Sequence, residues 1–345
     1  MLKTGTTSLQ SFLQNSRDDL AARGIGYYLP RFDAHPSFSN AGFLCRRSLS
    51  EAIGLPPEPS SDREMAAFSA YAGAFDTLIL SEEFLSEPGA EVPGYWEIVR
   101  KNLAELAGEH TQIDVLLFVR RQDDWILSRW KQQVLNAFYE DRPTPPDIPD
   151  FTTFAGQAKA RGLLDYDRAA DRLAKVFGRE HVTVCAYGAA DGSSFDAVGA
   201  FLGAAGISAD VPAKPLKENR SLSARAVNAL LRINGSEPAS IPRSRLHRAA
   251  RTFSRLYPEE QAVYPVSRDE RIRFLSEFEE SNQRLSLAYN NGIPLFSRVV
   301  PACFAWPDDP KQTCDDAALL LKLATLSRET EAALLRAARS TSGEP

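Results

Sequence analysis

Three short apolar runs separated by helical patterns constrain this chain more than any other feature. Thr77-Leu-Ile-Leu80, Ile113-Asp-Val-Leu-Leu-Phe-Val119 and Val182-Thr-Val-Cys-Ala-Tyr187 each read as a buried strand. Helical patterns lie around them at 95–108, 122–138 and 166–178. Buried strands alternating with helices predict an α/β fold with a central parallel sheet. In such sheets ligands bind beyond the carboxyl ends of the strands. The residues that follow two of the runs, Ser81-Glu82-Glu83 and Arg120-Arg121, therefore become candidates for chemistry.

The flanking chain is read in the same way. Leu9, Phe12, Leu13 and Leu20 recur at helical spacing from Thr6 to Arg23, with Gly24 as a stop, and Gly26–Pro30 reads as extended. Residues 31–70 read as irregular, with a loop near 56–61, and the Pro-rich run 142–149 as a surface loop. The C-terminal half is predicted to be largely helical, over 193–205, 221–233, 243–256, 267–289 and 315–340. A single domain over 1–340 is expected, with 1–190 as its α/β part, 191–340 as its helical part and 341–345 as a tail.

Composition excludes several classes of function. A net charge of -5 gives no general reason to expect nucleic acid or anionic lipid as a partner. Cys45, Cys185, Cys303 and Cys314 form no C-x-x-C pair, and the four histidines have no ligand spacing. No metal site or disulfide framework is expected, and a reducing, cytoplasmic location is the simplest reading. No apolar run reaches the length of a membrane span.

Lys3-Thr4-Gly5-Thr6-Thr7-Ser8 leads into the first helical pattern. Amides at a helix N-terminus point outward and attract anions, Gly5 permits close approach, the hydroxyls add donors and Lys3 adds a mobile charge. A capped, flexible chain end is the alternative. In Phe118-Val-Arg-Arg-Gln-Asp-Asp-Trp-Ile-Leu-Ser128, an Arg at a strand end and a Ser two turns into a helix can grip one phosphate. The alternative there is Arg120 paired with Asp123 or Asp124, with Ser128 in solvent.

Together these stretches resemble sulfotransferases that use 3′-phosphoadenosine 5′-phosphosulfate (PAPS). Lys3–Gln10 is similar to that family's 5′-phosphosulfate loop, and Arg120 with Ser128 to its 3′-phosphate motif. Leu164–Arg168 through Gly178, Asn219–Ser223, and Glu280–Leu285 with Leu295-Phe296 resemble bacterial members related to carbohydrate sulfotransferases. The resemblance implies a P-loop NTPase-like three-layer sandwich and transfer of a sulfuryl group from PAPS to a hydroxyl by in-line displacement, without a metal. The acceptor implied is a carbohydrate or glycolipid. Lys3 would then stabilise the leaving group, Thr4, Gly5, Thr6, Thr7 and Ser8 would hold the phosphosulfate, and Arg120 and Ser128 the 3′-phosphate.

A hydroxyl acceptor has to lose its proton. The Ser-x-Glu arrangement makes Glu83 the general base on this resemblance, with Glu82 close behind, although Ser81 could simply cap a helix whose start both carboxylates favour. His35 and Gln132 are softer candidates for acceptor contacts, against loop packing and solvent exposure respectively. Trp125 and Trp130 read as packing residues, and Cys185 as a small buried one. Relatives carry a strand and a His-x-Gly-x-x-Lys-Thr-Gly turn, whereas only Met1 and Leu2 precede Lys3 here. The resemblance thus implies a chain truncated before its phosphosulfate loop. Two rivals follow: a P-loop nucleotide kinase, which would want Gly-Lys-[Ser/Thr] and an Asp at a strand end, and a catalytically impaired nucleotide-binding protein.

Overall fold

Parallel pairing is the rule in this chain, but the ladders are short. The computed structural model describes residues 6–31, 39–137, 147–188, 196–208, 221–235, 241–258, 263–301 and 304–342. The first elements are α1 (Thr6–Asn15), α2 (Arg17–Ala21), β1 (Ile25–Gly26), α3 (Gly42–Ala52), α4 (Pro59–Ala72) and β2 (Thr77–Leu78). They are followed by α5 (Ser86–Glu91), α6 (Tyr95–Ala107), β3 (Val115–Arg120), α7 (Gln122–Asn136) and α8 (Phe151–Ala160). Next come α9 (Tyr166–Phe177), β4 (Val182–Tyr187), α10 (Ala197–Ala204), α11 (Ala224–Asn234) and α12 (Arg243–Leu256). The chain closes with β5 (Val263–Tyr264), α13 (Arg268–Ser276), α14 (Glu279–Tyr289), β6 (Phe304–Ala305), α15 (Pro310–Thr325) and α16 (Arg328–Ser342).

The described chain is mixed α/β and mostly helical. It falls into two compact units that interleave along the sequence. One gathers Met1–Gln122, Ala158–Asn219 and Glu277–Arg298, and the other Asp123–Gln157, Arg220–Ser276 and Val299–Pro345.

In the first unit β3 and β4 pair in parallel over six residues, from Val115 opposite Val182 to Arg120 opposite Tyr187. β1 and β2 form a second parallel ladder of two residue pairs. Strand side chains alternate between faces, and two apolar clusters receive them. Leu78, Leu80, Leu117, Val119, Val182 and Val184 join the side chains of α3, α4, α6 and α9. Ile79, Phe118 and Cys185 join Leu9, Phe12 and Leu13 of α1 and Val198, Phe201 and Leu202 of α10. Gly26 lets β1 approach its neighbours closely: a Cβ there would lie 2.8 Å from the Phe75 ring.

In the second unit α11, α12 and α15 share a core in which Ala226, Ala229, Ala249, Ala250 and Ala324 are fully buried. Such small residues let helix axes come close, and Leu230, Phe253 and Leu320 fill the space between them. A third parallel ladder pairs Val263 with Phe304 and Tyr264 with Ala305.

Several expectations are corrected. Residues 31–70 are not irregular, because α3 and α4 occupy much of them. Ser61, Met65, Phe68 and Ala72 recur at helical spacing on the buried face of α4, where a buried Ser in place of an apolar residue masks the pattern. α8 was not anticipated. The long helices expected over 267–289 and 315–340 each break, at Glu277-Phe278 and at Leu326-Ser327. The second of these starts earlier, at Pro310, because Asp309 caps it by accepting from the Lys311 and Gln312 amides. The strand expected over 77–80 pairs only at Thr77 and Leu78.

Candidate functional site

The carboxyl end of β2 is built by hydrogen bonds from residues some forty positions away. Asn40 is fully buried, and its Nδ2 donates to the Ile79 carbonyl at 2.8 Å while its Oδ1 accepts from the Ser81 amide at 2.7 Å. The Asn40 amide in turn donates to the Ser81 carbonyl at 3.3 Å. Side chain and backbone of one Asn thus extend the strand edge past the end of the ladder. Gln10 of α1 donates from Nε2 to the Ser81 hydroxyl at 3.2 Å, which brings the second turn of the first helix to this corner.

Glu82 is fixed at the same corner. One carboxylate oxygen accepts from the Ser39 hydroxyl, and the other from the Phe84 amide at 2.9 Å. Among the described residues no cation pairs with it. Its charge reaches three neutral groups. Burial, with Glu82 adding, pushes the Tyr27 phenol up. Burial is also the main reason that Tyr95 rises and that the Cys45 thiol is pushed up to about 11. Glu83 is half-buried, and its carbonyl accepts from the Ser86 hydroxyl at 3.0 Å, at the start of α5.

Thr7 and Ser8 lie half-buried in the first turn of α1, which begins at Thr6 as expected. Lys3, Thr4, Gly5 and His35 lie outside the described residues.

Arg120 ends β3, with its guanidinium 5.4 Å from the centre of the Tyr187 ring on the neighbouring strand. Its carbonyl accepts from the buried Tyr166 hydroxyl at 2.8 Å. Two residues on, Gln122 is fully buried; its Nε2 donates to Asn282 Oδ1 at 2.8 Å, and Asn282 Nδ2 returns a bond to Gln122 Oε1 at 3.2 Å. The position of Arg120 is thus set from three sides within the first unit.

The rest of α7 belongs to the second unit. Asp123 accepts on Oδ2 from Arg271 Nε at 3.1 Å and Nη2 at 2.7 Å, and both residues are almost completely buried. The Arg271 guanidinium lies 3.5 Å over the Tyr264 ring, and the Tyr264 hydroxyl donates to Asp124. Asp123 and Asp124 are therefore engaged by Arg271 and Tyr264. Ser128 and Gln132 sit half-buried four residues apart on the same helix. Ser128 makes no side-chain hydrogen bond among the described residues. Gln132 Oε1 is buried, and no described donor meets it.

The softer motifs have structural work. Leu222 offers its carbonyl to the buried Lys131 ammonium at 3.0 Å, and Ser223 caps α11. Ser281 and Arg284 of α14 bond Asp165 and Asp167 at 3.4 and 2.6 Å.

Asn40, Gln122, Tyr264 and Arg271 were not singled out in the sequence. Only a buried-polar signal could have found them, and burial is not visible in one sequence. Among the described residues no group of His, Cys, Asp and Glu is arranged to hold a metal, and no helix is long and apolar enough to cross a membrane. No family model, no curated protein and no solved structure matches this chain.

Proposed function

We propose that this protein is a sulfotransferase that moves a sulfuryl group from PAPS to a hydroxyl, on a carbohydrate or glycolipid acceptor. The observation that carries the reading is the contact of Gln10 with Ser81. It brings the second turn of α1, the helix that follows the loop resembling a phosphosulfate site in the sequence, to the residue just before Glu82 and Glu83. The alternation of strand side chains between two apolar clusters supports a P-loop-like three-layer arrangement in the first unit.

Within the first unit, the Arg120 guanidinium at a strand end and the amides of the first turn of α1 are donors of the kind an anionic nucleotide needs. Lys3, Thr4 and Gly5 complete the set on this proposal. Bound PAPS supplies the sulfuryl group. Thr7 and Ser8 would orient its sulfated end, and Arg120 its 3′-phosphate; Ser128, which the resemblance pairs with Arg120, belongs to the second unit. Glu83 is the base that takes the acceptor proton on this proposal, from the Ser-x-Glu arrangement after β2, while Glu82 accepts from Ser39 and the Phe84 amide.

Calorimetric titration with adenosine 3′,5′-bisphosphate and with AMP tests the donor site, and transfer of radiolabelled sulfur from PAPS tests the reaction. The bisphosphate should bind more tightly by tenfold or more, about the contribution of one charge-assisted phosphate contact. Equal affinities would remove the 3′-phosphate assignment, and tighter ATP binding with phosphoryl transfer would favour a kinase. Glu83→Gln should lower turnover by about 10²-fold or more while leaving bisphosphate affinity unchanged. Full activity in that variant would move the base to Glu82.

A further inference from the structure

Beyond the carboxyl ends of β5 and β6 the second unit opens into a cavity of about 1050 Å³. That is ample for a small ligand, and the crevice past the ends of parallel strands is where such ligands collect. Trp306, which follows β6, is held in place: its indole N–H donates to Asn228 Oδ1 at 2.7 Å, and Asn228 Nδ2 donates to the Pro307 carbonyl at 2.7 Å. Its polar edge is satisfied, the Trp130 ring packs 5.4 Å from it and the Lys131 ammonium lies 5.4 Å from its centre. What the ring still presents to the cavity is carbon surface, with Pro265 and Pro310 as rigid apolar wall.

Two guanidiniums line the same cavity against one carboxylate, Asp308. Arg232 makes no hydrogen bond or ion pair among the described residues. Arg268 spends only Nε, on the Val300 carbonyl at 3.0 Å, and its terminal nitrogens have no described partner. The helix starts beside the cavity are closed by their own side chains. Ser267 and Glu270 cap each other at 2.8 and 3.2 Å, and Asp309 caps α15. An anion entering here would therefore be met by guanidinium donors rather than by open amides.

We propose that this cavity binds a small organic anion carrying a flat ring, with the ring against Trp306 and the anionic group on Arg232 and Arg268. The site lies wholly within the second unit and does not depend on the sulfuryl-transfer reading.

Cys314 lines the cavity and is exposed, which makes it a built-in reporter. Its alkylation by iodoacetamide can be followed by peptide mass spectrometry against increasing naphthalene-2-sulfonate. The sulfonate should slow alkylation several-fold in a saturable way. Arg232→Gln and Arg268→Gln should each raise the half-protecting concentration about fivefold, the upper effect of an exposed charge pair. Neutral 2-naphthol and inorganic sulfate should protect weakly. No protection by the sulfonate would overturn the proposal. So would equal protection by 2-naphthol or by sulfate alone, or an unchanged half-protecting concentration in the double variant. Both arginines are exposed, so a urea midpoint confirms that the variants fold.

Discussion

Asp123→Asn is the sharpest test of how the second unit is held together. The substitution keeps the side chain's shape. It also keeps Oδ1, which accepts from the Asp124 amide at 2.9 Å. What it removes is the charge on Oδ2, where Nε and Nη2 of Arg271 converge. Arg271 is 2% exposed and Asp123 3%, so water cannot replace the lost partner. Breaking one side of a buried pair costs about 3–5 kcal/mol, because the remaining charge stays desolvated. With a urea slope of about 3 kcal/mol/M, the unfolding midpoint should fall by about 1 M or more. Tryptophan fluorescence is the suitable assay, since Trp125, Trp130 and Trp306 all lie in this unit and only Trp96 lies in the other. Removing both charges, by Asp123→Asn with Arg271→Met, should cost less than the sum of the two single changes by about 2 kcal/mol or more. Arg271→Met also gives up the stacking on Tyr264, worth about 1 kcal/mol, which the cycle cancels. An Asp123→Asn cost below about 1 kcal/mol, or strict additivity in the cycle, would refute the reasoning.

Two further expectations concern the corner after β2 and the response to acid. Asn40→Ala leaves the Ile79 carbonyl and the Ser81 amide without partners in a buried place, a loss of about 2–4 kcal/mol that urea unfolding would register. On the sulfuryl-transfer proposal, Asn40 also positions Ser81-Glu82, so turnover should fall more than bisphosphate affinity, and equal effects on both would argue for a purely structural role. Burial, with Arg251 adding, lowers the His247 pKa to about 4 from an ordinary 6.5. Between those values the unfolded chain takes up a proton that the folded chain refuses, so stability falls as pH drops from 6.5 to about 4. His247 is only part-buried, so after solvent screening the loss attributable to this group is about 1–2 kcal/mol. His247→Gln should flatten that part of a stability–pH curve measured by urea titration, and an unchanged slope would place the acid sensitivity elsewhere.

How far the fold could be read depends on what each element buries. α12 falls on residues 243–256 as expected, because Leu246, Ala249, Ala250 and Phe253 mark one face of an otherwise charged helix. The β3 strand was legible because five of its six residues are aliphatic or aromatic. α3 and α4 were not legible, because their buried faces carry Ser48, Ser61 and Glu64. The polar groups of two of these are met by distant chain. Asn102 donates to the Ser48 hydroxyl at 3.0 Å, and Glu64 accepts from the Tyr28 hydroxyl at 3.2 Å and the Arg31 amide at 2.7 Å. No periodicity rule scores a buried Glu as core, since its burial depends on partners that local sequence does not name.

The site divides along the same line. Glu82 and Arg120 stand where a parallel sheet predicts chemistry, at strand ends, so a sequence rule reaches them. What fixes them comes from far along the chain: Ser39 and Asn40 for the first, Tyr166, Tyr187 and the Gln122–Asn282 pair for the second. The stretches Leu164–Arg168 and Glu280–Leu285 entered the argument only as a resemblance. In the structure they meet each other, through Ser281 with Asp165 and Arg284 with Asp167, and they meet the residue that opens α7, through Asn282. Their work is to hold the strand-to-helix turn that carries Arg120. If the sulfuryl-transfer proposal is right, a strand-end arginine is only as useful as the rigidity of the turn behind it. A motif 160 residues away then counts as part of the site without touching a ligand.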